Sequence, residues 1–300
     1  MAFIQSRSIA EFLKLKIADL GLLIKFRLSM MVVFSAIAGY IVSAFGSLDI
    51  RNLIVLGLGG LLITGSSNAL NEVIEKDYDK LMNRTRNRPI AAGRMSVSEA
   101  VLWAGLMGLA GGLLLASFNP LTGFLGLVSL VLYAFIYTPL KRISPASVWV
   151  GALPGALPIL IGSVAASGYI TGIALSLFFI QFIWQFPHFW AIAWVADADY
   201  KSAGFKLLPS ADGEVGKFVG LQCLLYTAVL VFMGILPYII GQIHLFTMIA
   251  TTVIAGYFLY RSWQLYKNCD YKTARALMFS SFIYLPVVFI LYLIEKLLLS

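Results

Sequence analysis

The chain has 300 residues, 60% of them hydrophobic and 12% charged, and its mean hydropathy is +0.89. Soluble domains carry about a quarter charged residues, so a soluble globular fold, a disordered chain and a secreted disulfide scaffold are excluded in favour of a polytopic membrane protein. The net charge of +8 would suit nucleic acid only as a basic face on a soluble module, and the placement of the basic residues removes that reading.

Residues 1–27 are mixed in charge and lack an apolar core followed by a small-residue cleavage site, so they read as an inner N-terminal segment and not as a signal peptide. Glu11 and Asp19 argue against a mitochondrial leader. Charge-free runs then cover 28–48, 52–71, 100–140, 143–196, 218–260 and 276–294. A membrane crossing takes about 20 residues. The first, second and last runs are therefore single spans, and the other three each fold back once. Their turns fall at 117–123, 167–172 and 237–245, where Gly, Pro and Asn break helices.

The expectation is an all-α polytopic membrane protein in one domain, with about nine transmembrane helices around a central cavity. The spans are placed near 28–48, 52–71, 99–117, 121–140, 146–167, 172–196, 218–239, 243–261 and 276–295. With the N-terminus inside, 20 of the 22 basic residues fall on the inner side, leaving only Arg51 and Lys296 outside. This is the asymmetry that orients membrane proteins, and it accounts for the net charge. Cys223 and Cys269 form no CxxC and read as unpaired packing residues.

Polar residues gather in two inner segments. After the second span, Asn71, Glu75 and Asp79 recur at i, i+4 and i+8, so they share one helix face, with Asn68 one turn earlier. Asp77 falls about 200° from Glu75 at about 100° per residue. Oxygen side chains at a helix end suit a hard cation such as Mg²⁺. Arg84, Arg86 and Arg88 follow, and guanidinium groups suit phosphate. The competing reading is a solvated, charged helix end. Carboxylates beside arginines describe a metal–diphosphate site better than a metal site alone.

After the sixth span come Asp197, Asp199 and Lys201, about 120 residues beyond the first cluster and on the same face. Two similar halves would set the acidic segments opposite each other across the cavity. Gln181, Gln185 and His188 form a polar stripe within the sixth span, and a continuous helix would put His188 about 16 Å deeper than Asp199 on the same face. A lone membrane histidine is as readily a packing residue as a ligand. His244 lies at an outer turn without polar company. At the inner end of the fourth span stand Tyr133, Tyr137, Lys141 and Arg142. Taken alone, Lys141 reads as an orientation anchor.

Together these segments resemble a known family. Asn71-x₃-Glu75-x₃-Asp79 followed by Arg84-Thr85-x-Asn87-Arg88-Pro89 resembles the first aspartate-rich signature of the UbiA-type intramembrane prenyltransferases. The run from Tyr137 to Arg142 is similar to their YTxxLKR segment. Residues Trp184 to Phe189, then Asp199-Tyr-x-x-Ala-Gly204 and Leu208-Pro209, resemble the haem-farnesylating (haem O synthase) branch. The chain departs from the superfamily pattern in carrying Glu75 where Asp is usual, Glu72 after the Asn, and Val195 four residues before Asp199.

The resemblance implies transfer of a farnesyl group from farnesyl diphosphate to a vinyl group of haem B, giving haem O. It implies Mg²⁺ held by Asn71, Glu75, Asp79 and Asp199, with Lys141 as a further catalytic group. Substrate contacts would come from Asn68, Arg84, Arg88, Tyr137, Arg142, Trp184, Gln185, His188 and Lys201. Haem B is then a substrate and not a cofactor. Implied partners are the lipid bilayer and haem A synthase or terminal-oxidase assembly proteins, with no nucleic acid. The implied location is a bacterial-type inner membrane, with N-terminus and active site cytoplasmic. Prenyl transfer to a quinone precursor such as 4-hydroxybenzoate is the alternative within the same fold. A secondary transporter is the alternative from another class, but it calls for acids near the bilayer midplane, not at the inner boundary.

Overall fold

The structure is a computed structural model that describes residues 9–45, 48–210 and 212–299. Arg7 of the inner N-terminal segment lies outside the described residues. Among the described residues, short polar side chains set five helix starts, because each accepts a hydrogen bond from an otherwise orphaned N–H of the first turn. Helix α1 (Ile9–Leu23) is separated from α2 (Phe26–Ser43) by Lys25, whose left-handed backbone (φ 49°) breaks the run. Asp49 caps α3 (Ile50–Asp79), and Ser96 caps α4 (Val97–Ala116). Asn119 caps α5 (Pro120–Val131), with Pro120 in the first turn. That helix runs through a π-helical stretch, Leu132–Tyr137, into the single turn α6 (Thr138–Leu140).

Helix α7 (Ser147–Ser167) ends at Gly168 in the left-handed region, and Thr171 caps α8 (Gly172–Val195). A short α9 (Asp197–Ser202) follows, then α10 (Lys217–Ile239), α11 (Leu245–Asn268) and α12 (Tyr271–Ile294), the last capped by Asp270. The described residues hold no strand. Among the described residues, eight helical segments are long and apolar enough to cross a membrane: α2, α3, α4, α5 through α6, α7, α8, α10 and α12 with its extension. Helix α11 is as long at 24 residues, but Tyr257, Tyr260 and Arg261 dilute its apolar character. It packs against α10 and α12. Cys223 and Cys269 are both free.

Helices α2, α3, α5, α7, α8 and α12 surround a central cavity of about 560 Å³. Helices α2 and α7 approach closely enough that a Cβ on Gly162 would lie 1.8 Å from the Ala36 carbonyl oxygen, and one on Gly39 would lie 2.1 Å from that of Ile159. Small residues at such a crossing gain the van der Waals contact that holds membrane helices together. Pro158 cannot donate to the Pro154 carbonyl, as a helical residue would. The Ser129 hydroxyl donates there instead, at 3.3 Å, the kind of internal repair a membrane helix requires.

At the outer end, Glu295 corrects the reading of His244. This buried carboxylate accepts from the His244 backbone N–H at 2.9 Å and lies against its ring Nδ1.

Candidate active site

Helix α3 does not stop at the inner end of its expected span. It continues unbroken to Asp79, so the four-residue spacing carries its polar face through two further turns. Asn71, Glu72, Glu75 and Asp79 are all less than 5% exposed, whereas Asp77, on the other side, is exposed and pairs with Lys80. Arg88, on the loop after α3, reaches back over this face. Its Nη1 donates to both oxygens of Asp79 at 2.8 Å and lies 4.0 Å from Glu75, while its Nε lies 3.6 Å from Glu72. Lys141, just beyond α6, donates to Glu75 Oε1 at 2.8 Å. Lys25 donates to Asn71 Oδ1 at 2.7 Å, and the Asn71 amide donates to the Thr138 hydroxyl at 3.0 Å.

Three carboxylates and three basic side chains therefore interleave at the mouth of the bundle. Burial pulls the Lys25 ammonium down to about 7, with the nearby Arg88 charge acting in the same direction. Burial also acts against the charge on Lys141, but Glu75 outweighs it by attraction and hydrogen bonding and holds that ammonium above its ordinary value. Arg88 is likewise held above its ordinary value, because Asp79 and Glu72 outweigh its burial.

Both oxygens of Glu72 are buried and have no hydrogen-bond partner among the described residues. That spare carboxylate capacity, beside Glu75 and Asp79, fits a hard divalent cation. Mg²⁺ takes one or two carboxylates and completes its shell from waters and phosphate oxygens. The expected set of Asn71, Glu75, Asp79 and Asp199 does not form one cage. Asn71 is committed to Lys25 and Thr138, and among the described residues no three His, Cys, Asp or Glu side chains group as metal ligands.

Asp199 instead fastens the two halves together over the mouth. It accepts from the backbone N–H and side-chain amide of Asn83 at 3.3 Å and from the Arg84 N–H at 3.2 Å. Arg84 donates to the Tyr200 hydroxyl at 3.1 Å and lies over that ring. The Lys206 N–H donates to the Lys141 carbonyl at 2.7 Å, and Ser202 donates to the Leu81 carbonyl at 3.2 Å. Arg142 stacks on Tyr78 and donates to its hydroxyl. Lys201 pairs with Asp197 and Glu214 at the surface. The helix carrying His188 is not continuous with Asp199. Helix α8 stops at Val195, and Ala196 (φ −105°, ψ 23°) turns the chain before α9.

Beneath the mouth lies the cavity, lined largely by apolar side chains, with Asn68, Tyr133, Tyr137, Trp184, Gln185 and His188 on its wall. Asn68 donates to the Ile24 carbonyl at 3.1 Å and to Ser29 at 3.2 Å. Tyr133 and Tyr137 stand 5.3 Å apart, and the Lys141 ammonium lies 4.6 Å from the Tyr137 ring centre. Gln181 and Gln185, from α8, donate to the Gly155 and Ala152 carbonyls of α7 at 2.8 and 2.9 Å. The polar stripe is thus partly a helix–helix fastening.

Sequence reasoning missed Lys25, Tyr78, Asn83, Thr138, Tyr200 and Ser281. Lys25 was hidden among the inner basic residues, and Thr138 was visible only as part of a matched motif. Ser281 is one of two adjacent serines in an apolar span, and nothing local singles it out.

A membrane bundle with a charged inner mouth above an apolar chamber has the design of an intramembrane prenyltransferase. It can hold a diphosphate head at the boundary and its hydrocarbon tail inside. The chain belongs to the UbiA prenyltransferase family, whose model matches residues 32–285. It is 44% identical over 275 residues to a protoheme IX farnesyltransferase of Cytophaga hutchinsonii, covering 91% of this chain and 96% of that one. It is 36% identical to the mitochondrial protoheme IX farnesyltransferase of Arabidopsis thaliana, covering 88% of this chain and 61% of the relative.

Among solved structures, a digeranylgeranylglyceryl phosphate synthase superposes with a TM-score of 0.78 at 17% identity, covering 94% of this chain and 98% of that one. A UbiA homolog from Archaeoglobus fulgidus bound to GPP and Mg²⁺ superposes with a TM-score of 0.70 at 14% identity, covering 91% and 99%. At these identities the likeness is one of fold.

Proposed function

We infer that the protein is an integral membrane farnesyltransferase that makes haem O from haem B. The observation that carries this reading is identity of 35–44% to protoheme IX farnesyltransferases along about nine-tenths of the chain. In the reaction the C1–oxygen bond of farnesyl diphosphate breaks and diphosphate leaves with the electron pair. The terminal vinyl carbon of haem B bonds to farnesyl C1. Water adds to the cation left on the inner vinyl carbon, and a proton is released.

Glu75 and Asp79, with Glu72 beside them, are the residues that would hold Mg²⁺. When bound with the diphosphate, this ion neutralises charge on the leaving group. Arg88 and Lys141 are freed from their carboxylates, and Lys25 from Asn71, to take phosphate oxygens, the bidentate Arg88 best suited to them. Asp199 acts by holding Asn83 and Arg84 in place over the mouth, and Arg84 reaches the phosphate rim. Tyr137 and Tyr133 face the allylic cation with their ring faces. His188, Trp184 and Gln185 meet the porphyrin deeper in the chamber, whose apolar wall excludes bulk water from the cation.

The chain makes nine crossings, with α11 as the least apolar. Its inner end carries most of the basic residues, which sets the N-terminus and the mouth on the cytoplasmic side of a bacterial-type inner membrane. Haem A synthase or oxidase assembly proteins are its proposed recipients. The experiment is incubation of purified protein with farnesyl diphosphate, Mg²⁺ and either haem B or 4-hydroxybenzoate, read by mass spectrometry. Haem O is expected. Prenylated 4-hydroxybenzoate without haem O overturns the assignment.

A further inference from the structure

Ser281 of α12 holds two residues of the cavity wall at once. Its Oγ lies 2.7 Å from His188 Nδ1, and its carbonyl accepts from Trp184 Nε1 at 3.0 Å. The Trp184 and His188 rings stack at 4.3 Å with 22° between their planes. Phe282 closes on the histidine edge-on at 5.3 Å. Ser281 is fully buried, so no water exchanges with its hydroxyl.

The hydroxyl has one proton to give. The Met278 carbonyl, 2.6 Å from Oγ, can only accept, and it takes that proton. Were the proton turned toward His188, the hydroxyl and the carbonyl would press two lone pairs together at 2.6 Å. The Ser281 oxygen must therefore accept, and His188 Nδ1 must carry the hydrogen. In a neutral imidazole this leaves Nε2 with a bare lone pair. His188 lines the chamber, and among the described residues no hydrogen bond occupies its Nε2.

We propose that Ser281 is a positioning residue that fixes the Nδ1–H tautomer of His188, so that Nε2 ligates the iron of the porphyrin acceptor. The inference rests on the haem reading above and deepens it. Metal-bound histidines almost always donate their other ring N–H to such a partner, and losing that partner typically costs about 10–100-fold in metal affinity. Trp184, held by the same serine, stacks on the imidazole and keeps its plane fixed, so iron–nitrogen bonding sets the porphyrin's depth and tilt.

The test uses full-length protein in detergent. Wild-type protein with ferrous haem is expected to show an iron–histidine resonance Raman band that disappears in His188→Ala and is recovered with added imidazole. Ser281→Ala is expected to weaken haem binding about 10-fold or more and shift the Soret band. It should leave binding of iron-free protoporphyrin IX and farnesyl diphosphate unchanged. In a His188→Ala background it should add no further loss. A missing iron–histidine band in wild type overturns the proposal without needing any variant to fold. So does an equal loss of iron-free porphyrin in Ser281→Ala, or additive losses in the double variant. If wild type binds neither porphyrin, the haem reading itself fails.

Discussion

The two acidic inner segments look alike in the sequence and differ in their surroundings. At the end of α3, Glu72, Glu75 and Asp79 are buried among cations drawn from three other parts of the chain. In α9, no residue is buried, and Asp197 pairs with Lys201 one turn away. Helix continuity makes the difference. Helix α3 runs unbroken for 30 residues and delivers its i, i+4 face beneath Arg88 and Lys141. Helix α8 stops at Val195, and the six residues of α9 lie across the mouth. A carboxylate under cover interacts strongly with charge, because little water screens it. An exposed one serves to hold a loop. On the function proposed above, the first segment is the chemical half of the mouth and the second is its clasp.

The largest test of this division is metal removal. Chelation with EDTA should abolish product formation and added Mg²⁺ should restore it; turnover that survives chelation breaks the assignment of the first segment. Lys141→Met should follow, because it takes the direct hydrogen bond from the buried Glu75 and leaves it only Arg88 at 4.0 Å, and breaking a buried pair costs about 3–5 kcal/mol. Thermal unfolding in detergent reads the loss, and a Glu75→Gln/Lys141→Met pair should recover most of it. Asp79→Asn should lower turnover about 100-fold or more, in the range seen when one electrostatic stabiliser is removed, without changing the elution profile.

Asp199→Asn keeps the shape and loosens only the hold on Asn83 and Arg84, so it should cost about tenfold in turnover and mainly raise KM for farnesyl diphosphate. A loss as large as that of Asp79→Asn would make the two segments equal partners. Asp77→Asn and Lys201→Met should stay within about twofold of wild type, since exposed pairs contribute little.

Much of the first segment was legible because helical spacing is a local property. Asn71, Glu75 and Asp79 had to share a face once α3 was a helix, and Asp77 had to leave it. Asp199 could be named as important but not placed, because its hydrogen-bond partners lie 115 and 116 residues away. Whether the helix of His188 ran on to Asp199 could not be read from the sequence, because no Gly or Pro marks the break at Ala196. His244 looked alone because its partner, Glu295, is 51 residues further on and beyond the last apolar run.

Composition and charge alone determined that this chain lives in a membrane, which segments are apolar enough to cross it and where along the chain the polar residues gather. All of these follow from transfer free energies summed along a chain, which depend on residue type and order. Pairing was decided only in three dimensions: Arg88 over Asp79, Lys141 against Glu75, Lys25 on Asn71, and Ser281 behind His188. Those contacts join residues from separate helices, and their strength comes from the burial that packing creates.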